Sequence, residues 1–145
     1  MHNLTAPSTD QKFKLGDRLE ENGNVYRYIR ADEALAIGQF VLLDSGWLAT
    51  ESLTSEATLV EAVGCAAFAA FADDEYGWVQ TEGLFTGNTA TSLTAGAKCY
   101  TSATAGRIGA NGGSDVLIQG LSVVTTTTGA GLNACRAVGE MKVNC

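Results

Sequence analysis

The stretch Val63-Gly-Cys-Ala-Ala-Phe-Ala-Ala-Phe-Ala-Asp-Asp-Glu-Tyr-Gly-Trp-Val-Gln-Thr-Glu-Gly83 decides the fold. An apolar run of small residues with two phenylalanines stops at the acidic triplet Asp73-Asp74-Glu75, and the chain returns through Tyr76-Gly77-Trp78-Val79-Gln80. That is a strand, a tight connection and a second strand. Aromatics on either side of a glycine fit a place where a large ring lies across bare backbone, and Trp78 brings much of the apolar area buried there. Large aromatics tend to be buried, so Tyr76 and Trp78 are expected to pack core and sheet. The functional alternative for the pair is a platform that stacks a sugar or seats a partner.

Working outward, Val25-Tyr-Arg-Tyr-Ile-Arg30 is a β-rich run that opens the body. Phe40–Leu43, the turn Asp44-Ser45-Gly46 and Trp47–Ala49 follow as strand, turn and strand, and residues 50–58 form a polar connection. Beyond the central stretch, residues 84–92 read as a short strand and a polar loop, and residues 107–115 as a flexible glycine-rich link. Val116 to Thr125 is the strongest strand signal in the chain. It forms a hairpin with Ala134–Val138 across the glycine-threonine tip 126–133. Glu140 to Asn144 alternates apolar and polar residues as an edge strand does, with Met141 and Val143 on one side.

Residues 1–24 read as an N-terminal arm ahead of a single β domain, 25–145. Asn3 to Asp10 is polar and holds the only proline; Asp17 to Asn24 is charged and turn-forming; neither can bury much. Between them Phe13 and Leu15 recur at period two beside Lys12 and Lys14. Two readings stand: a short strand that docks on a neighbour or on the domain itself, or a disordered tail with two incidental apolar residues. Glu21-Asn22-Gly23-Asn24 is a turn, because Asn-Gly takes positive φ readily.

An internal echo bears on architecture. Leu35-Ala-Ile-Gly38, a strand at Phe40 and the turn glycine Gly46 recur as Leu93-Thr-Ala-Gly96, Lys98–Thr101 and Gly106. Each copy then reaches a second apolar strand around a glycine, Gly64 in the first and Gly120 or Gly139 in the second. Two similar β units covering one another would close a barrel or sandwich on one core. Two similar units are the expected reading; chance recurrence of turn signals in a glycine-rich chain is the alternative.

Composition sets the limits. Seventeen glycines, one proline and abundant Thr, Ala and Val across 145 residues describe one turn-rich β domain with little helix. The net charge of −7 is uneven: residues 1–30 carry five basic against four acidic groups, and the remainder four against twelve. Such a body repels a phosphate backbone, so no nucleic acid is expected as a partner. No leader is visible, and the longest apolar run, ten glycine-interrupted residues, is short of the roughly twenty a span needs. A soluble protein made in a cytoplasm, with no membrane partner, is the expectation.

Candidate chemistry is sparse. Cys65, Cys99, Cys135 and Cys145 are widely spaced, and the only histidine is His2 in the arm, so no metal site is expected. The cysteines are expected as reduced and mostly buried thiols, with Cys145 the exposed one. Gly106-Arg-Ile-Gly-Ala-Asn-Gly has the look of a phosphate loop but lacks the helix that must follow. Asp73-Asp74-Glu75 lacks the ordered spacing of a calcium loop and reads as a solvated turn. No catalytic residue and no cofactor are nominated.

Four segments together carry a resemblance: Tyr26 to Val41, Glu75 to Gly83, Gly96 to Gly106 and Ile118 to Leu121. The pattern resembles small structural proteins of tailed bacteriophages, in particular capsid decoration or cement proteins. The resemblance implies a barrel- or tulip-like β domain on the outside of an assembled capsid, reinforcing junctions of the major capsid protein, often as a homotrimer. It implies the virion as the location and no enzymatic activity. The four cysteines and the longer polar arm depart from the pattern. On the arm's chemistry, Lys12, Phe13, Lys14 and Leu15 are the expected capsid or subunit contact. The second class is a virion-surface module that binds carbohydrate or a host receptor through Trp47 and Trp78.

Overall fold

The computed structural model describes residues 4–51, 62–110 and 115–144, apart from the side chain of residue 144. The described residues hold ten strands and no helix: β1 (Arg18–Glu21), β2 (Asn24–Ala31), β3 (Phe40–Leu43), β4 (Leu48–Glu51), β5 (Ala62–Cys65), β6 (Tyr76–Thr89), β7 (Lys98–Thr101), β8 (Ile108–Gly109), β9 (Leu117–Val123) and β10 (Gly131–Asn144). They form one sheet in the order β1-β2-β4-β3-β5-β10-β6-β8-β7-β9. Further pairings, β2 with β6, β5 with β6 and β10 with β9, fold that sheet back on itself twice. The expected single closed barrel is therefore corrected to one large sheet in which β6 and β10 each serve several neighbours. Both are fourteen residues long, which is what lets them do so.

The reason β6 grows so long lies in its glycines and one bulge. Val25 pairs with Glu82 but Tyr26 with Gln80, leaving Thr81 as an extra residue that bends the strand without ending it. At Gly83, φ is +106°, and an added Cβ would stand 2.0 Å from Asn24 Oδ1, which accepts the Leu84 N–H at 3.2 Å. The expected break after Gly83 is thus a bend, and the short strand expected at 84–92 is the second half of β6. Conversely, the strand expected over Val63 to Ala72 stops at Cys65. The alanine-rich run beyond it has weak strand preference and crosses as a connection, held where Phe71 and Leu35 exchange N–H···O bonds of 2.8 Å.

The C-terminal segment expected at an edge lies inside the sheet, with Lys142 facing Ala62 on one side and Gln119 on the other. Met141 and Val143 do share a side, and it is the core. In the echoed halves, Gly38 and Gly96 both take left-handed φ (+84° and +79°), whereas only Gly106 of the second glycine pair does. The halves also repeat a pairing pattern, β2 with β4 and β6 with β8 parallel, β3 with β4 and β5 as β7 with β8 and β9 antiparallel, and they differ in burial: β3 is buried throughout and β7 is not. Asn22 and Gly23, at φ 54° and 82°, make the expected turn, and β1 completes a hairpin with β2 in the charged, turn-forming part of the arm. Of the expected polar connection 50–58, Thr50 and Glu51 belong to β4 and the rest lies outside the described residues, as do part of the link 107–115, His2 and Cys145.

Two apolar clusters fill the interior. One gathers Phe40, Phe85, Ile108, Ile118, Met141 and their neighbours; the other gathers Ile29, Leu35, Val41, Phe71 and Val79. Cys65, Cys99 and Cys135 belong to the first and are free thiols. Burial pushes the Cys99 thiol up to about 12 and the Cys135 thiol to about 11, and raises Cys65 well above its ordinary value. Thiolate is the reactive form, so these three should resist an aromatic disulfide reagent at pH 8 in the native state. All three should react once denaturant is added; fast native labelling of any of them would show that this core opens.

Candidate functional site

β6 is buried on both faces along its first half and on one face along its second. What covers the extra face is the arm. Tyr26, Tyr28 and Trp78 form a third apolar cluster, against which Leu4, Phe13, Leu15, Leu19 and Tyr76 pack partly buried. The Phe13 ring stands edge-on to Tyr28 at 5.2 Å and tilted against Trp78 at 5.3 Å, separations at which aromatic pairs attract. Backbone bonds fix the register: Ser8 and Tyr76 exchange N–H···O bonds of 2.9 and 2.8 Å. The Lys12 N–H donates to the Tyr28 hydroxyl at 3.0 Å.

Of the two readings of the arm, the seated one holds for the described residues. Phe13 and Leu15 turn inward onto the chain's own sheet, while the Lys12 and Lys14 side chains are exposed. A cleft remains under the strap, lined by Ser8, Lys12, Phe13, Tyr28, Tyr76 and Trp78 among others. Trp78 itself is 5% exposed, which corrects the reading of its indole as an open stacking surface. Trp47 is half-buried and also engaged: the Arg27 guanidinium lies over its ring at 5.2 Å, and Gly16 passes so close that a Cβ would meet Nε1 at 2.4 Å.

Arg27 ties the base of the arm to the sheet, a role no local pattern announced. Its Nη1 donates to the Gly16 carbonyl at 2.9 Å, while Nε and Nη2 grip both oxygens of Glu140 at 2.9 and 2.8 Å. Thr81 donates to the same carboxylate at 2.8 Å. The Arg27 hydrogen bonds, more than any other cause, hold the Glu140 carboxyl below its ordinary value of 4.5. A depressed carboxyl stabilises the fold in full above its unfolded value and loses that contribution as pH falls through the folded value. Glu140→Gln should cost about 1.5–3 kcal/mol at pH 7, the range for hydrogen bonds to charged groups. Urea midpoints of the two proteins should converge toward pH 3; a constant gap would mean that the charge is not the source.

The acidic turn Asp73-Asp74-Glu75 is held internally. Asp74 has φ 69° and is ion-paired with Arg30, and Glu75 Oε1 accepts the Ala72 N–H at 2.7 Å. Among the described residues no three His, Cys, Asp or Glu side chains gather as metal ligands would.

Among the described residues the site is thus a β-sheet with a strap bound across one face. The family model for phage cement proteins matches residues 21–138, and the chain belongs to that family, whose name denotes a structural part of the virion. No curated protein matches the chain.

Proposed function

We propose that this protein binds the outside of the phage capsid and stabilises contacts between copies of the major capsid protein, without enzymatic activity. Residues 1–24 act as the arm and 25–145 as one β domain. The observation that carries this reading is the seated arm: Phe13 and Leu15 anchor the strap on Tyr28 and Trp78, which holds Lys12 and Lys14 at the surface as a preformed contact. A strap already ordered loses less entropy on docking than a free tail. The protein is made in the host cytoplasm and resides on the capsid exterior. It works as a homo-oligomer, a trimer in our reading, so that several weak contacts engage one shell site together.

Co-sedimentation with empty capsids of the host phage tests this. Saturable binding, counted per shell, supports the reading and reports the symmetry; absence of binding under all salt conditions sinks it. A second reading, a virion-surface module for carbohydrate or a host receptor, draws on the aromatic cleft beneath the strap. A glycan screen with the free protein separates the two.

A further inference from the structure

The cleft beneath the strap has a size and a set of donors that capsid binding leaves unused. Tyr28 and Trp78 stand opposite one another on β2 and β6, and Tyr76, two residues before Trp78, points to the same side. The Tyr28 ring is edge-on to Trp78 at 5.1 Å and within 11° of parallel to Tyr76 at 6.3 Å. The strap is pinned over these rings at two places, Ser8 on Tyr76 and Phe13 on Tyr28 and Trp78. Residues 9–12 between the pins are exposed, and a volume of about 140 Å³ stays open beneath the strap. An apolar cavity of about 150 Å³ is enough to hold benzene. The cleft therefore has room for one six-membered ring.

Its polar groups share one character. Ser8 Oγ accepts the Asp10 N–H at 3.1 Å, and the Tyr28 hydroxyl accepts the Lys12 N–H at 3.0 Å, so each hydroxyl keeps its own proton to give. The Tyr76 hydroxyl and the Lys12 ammonium are further donors among the lining residues, and Lys12 has no ion pair among the described residues. On a chain of net charge −7, no residue that lines the cleft is acidic. Tyr28 is 3% exposed, and a hydrogen bond from so buried a hydroxyl to a charged acceptor is stronger than one made in water. A neutral sugar would also need acceptors for its hydroxyl protons, yet the lining holds no carboxylate or carboxamide side chain.

We infer that the cleft binds a small aromatic carboxylate, with its ring against Phe13, Tyr76 and Trp78 and its carboxylate toward Lys12 and the hydroxyls of Ser8 and Tyr28. Phe13 and Tyr76 are only half-buried, and aromatic walls favour a flat ring through edge and face contacts. A pocket of this kind, mostly aromatic with a few convergent donors, is how small-molecule sites fix orientation. The inference concerns the free protein and stands whether or not the chain binds a capsid.

Benzoate titrated into the free, full-length, isotope-labelled protein at pH 7, followed by amide chemical shifts, provides the test. Shifts should saturate with a dissociation constant of about 1 mM or below, the scale open to so few atoms. They should gather on residues 6–13, 28 and 76–78. Benzamide, the same ring without the charge, should bind about tenfold more weakly, and so should glucuronate, a carboxylate on a polar ring. Lys12→Gln should weaken benzoate about tenfold and leave benzamide where it was. Ala6→Phe, which adds a ring at an exposed position of the lining, should abolish benzoate binding with the thermal midpoint unchanged. Shifts that fail to saturate by about 10 mM, or that scatter over the whole surface, overturn the site. Benzamide matching benzoate overturns the carboxylate half of the assignment, and glucuronate matching it overturns the aromatic half.

Discussion

Phe40→Ala should lower the unfolding free energy by about 3–5 kcal/mol, the largest single-site loss expected in this molecule. Phe40 is fully buried on β3, its ring edge-on to Phe85 at 5.8 Å. It also lies beneath Gly87 of β6, where an added Cβ would approach the ring to 2.5 Å. The ring therefore fills the place where β3 and the second half of β6 come together, and alanine would leave a cavity flanked by strands that cannot collapse independently. Against a typical total of about 5–15 kcal/mol, the variant should be marginal at 37 °C. Gly87→Ala should destabilise by overpacking, about 1–3 kcal/mol. Because one steric contact underlies both effects, the Gly87→Ala penalty should shrink in a Phe40→Leu background. Urea denaturation of the four proteins measures this. Strict additivity would mean that the ring and the glycine do not press on each other.

These residues also show where the sequence was readable. The apolar run Phe40–Leu43, the aromatics flanking Gly77 and the Asn22-Gly23 turn are local signals, and the sheet forms where they point. What local pattern lacks is the partner. Glycines 83 and 87 read as punctuation, yet in β6 they are close approaches, to Asn24 in one case and to Phe40 in the other, and so extend the strand. Met141 and Val143 alternate as an edge strand does, but β5 and β9 pair with β10 there on opposite sides. Arg27 and Glu140 are 113 residues apart, and neither carries a motif. The arm was legible as an apolar pair between lysines. That it settles on its own sheet followed only once Tyr28 and Trp78 were known to face the same way. The outer side of β10 is written in the run Leu132-x-Ala134-x-Arg136-x-Val138, three apolar residues and one arginine, all exposed, whose interleaved neighbours Cys135 and Ala137 are buried.

Phe13→Ala with Leu15→Ala should reduce capsid occupancy more than any other exposed or half-buried change if the strap is the contact. The ring makes two aromatic contacts, worth about 0.5–1.5 kcal/mol each beyond area burial, and both are internal to the chain. Their loss acts first on the free protein, releasing the strap so that docking must order it anew. Each 1.4 kcal/mol so spent weakens a site about tenfold, and an oligomer that engages several sites compounds the loss. The body should remain folded, because Ile29, Val79 and the clusters behind them are untouched, and near-ultraviolet signals other than those of Tyr28 and Trp78 should persist. Lys12→Glu with Lys14→Glu separates anchoring from contact. Both side chains are exposed, so stability should hold within about 0.5 kcal/mol while occupancy falls and its salt dependence flattens. Wild-type occupancy from a folded Phe13→Ala, Leu15→Ala protein would remove the arm from the capsid interface. Equal loss from the lysine pair would instead assign the contact to the charges and leave the ring as their mount.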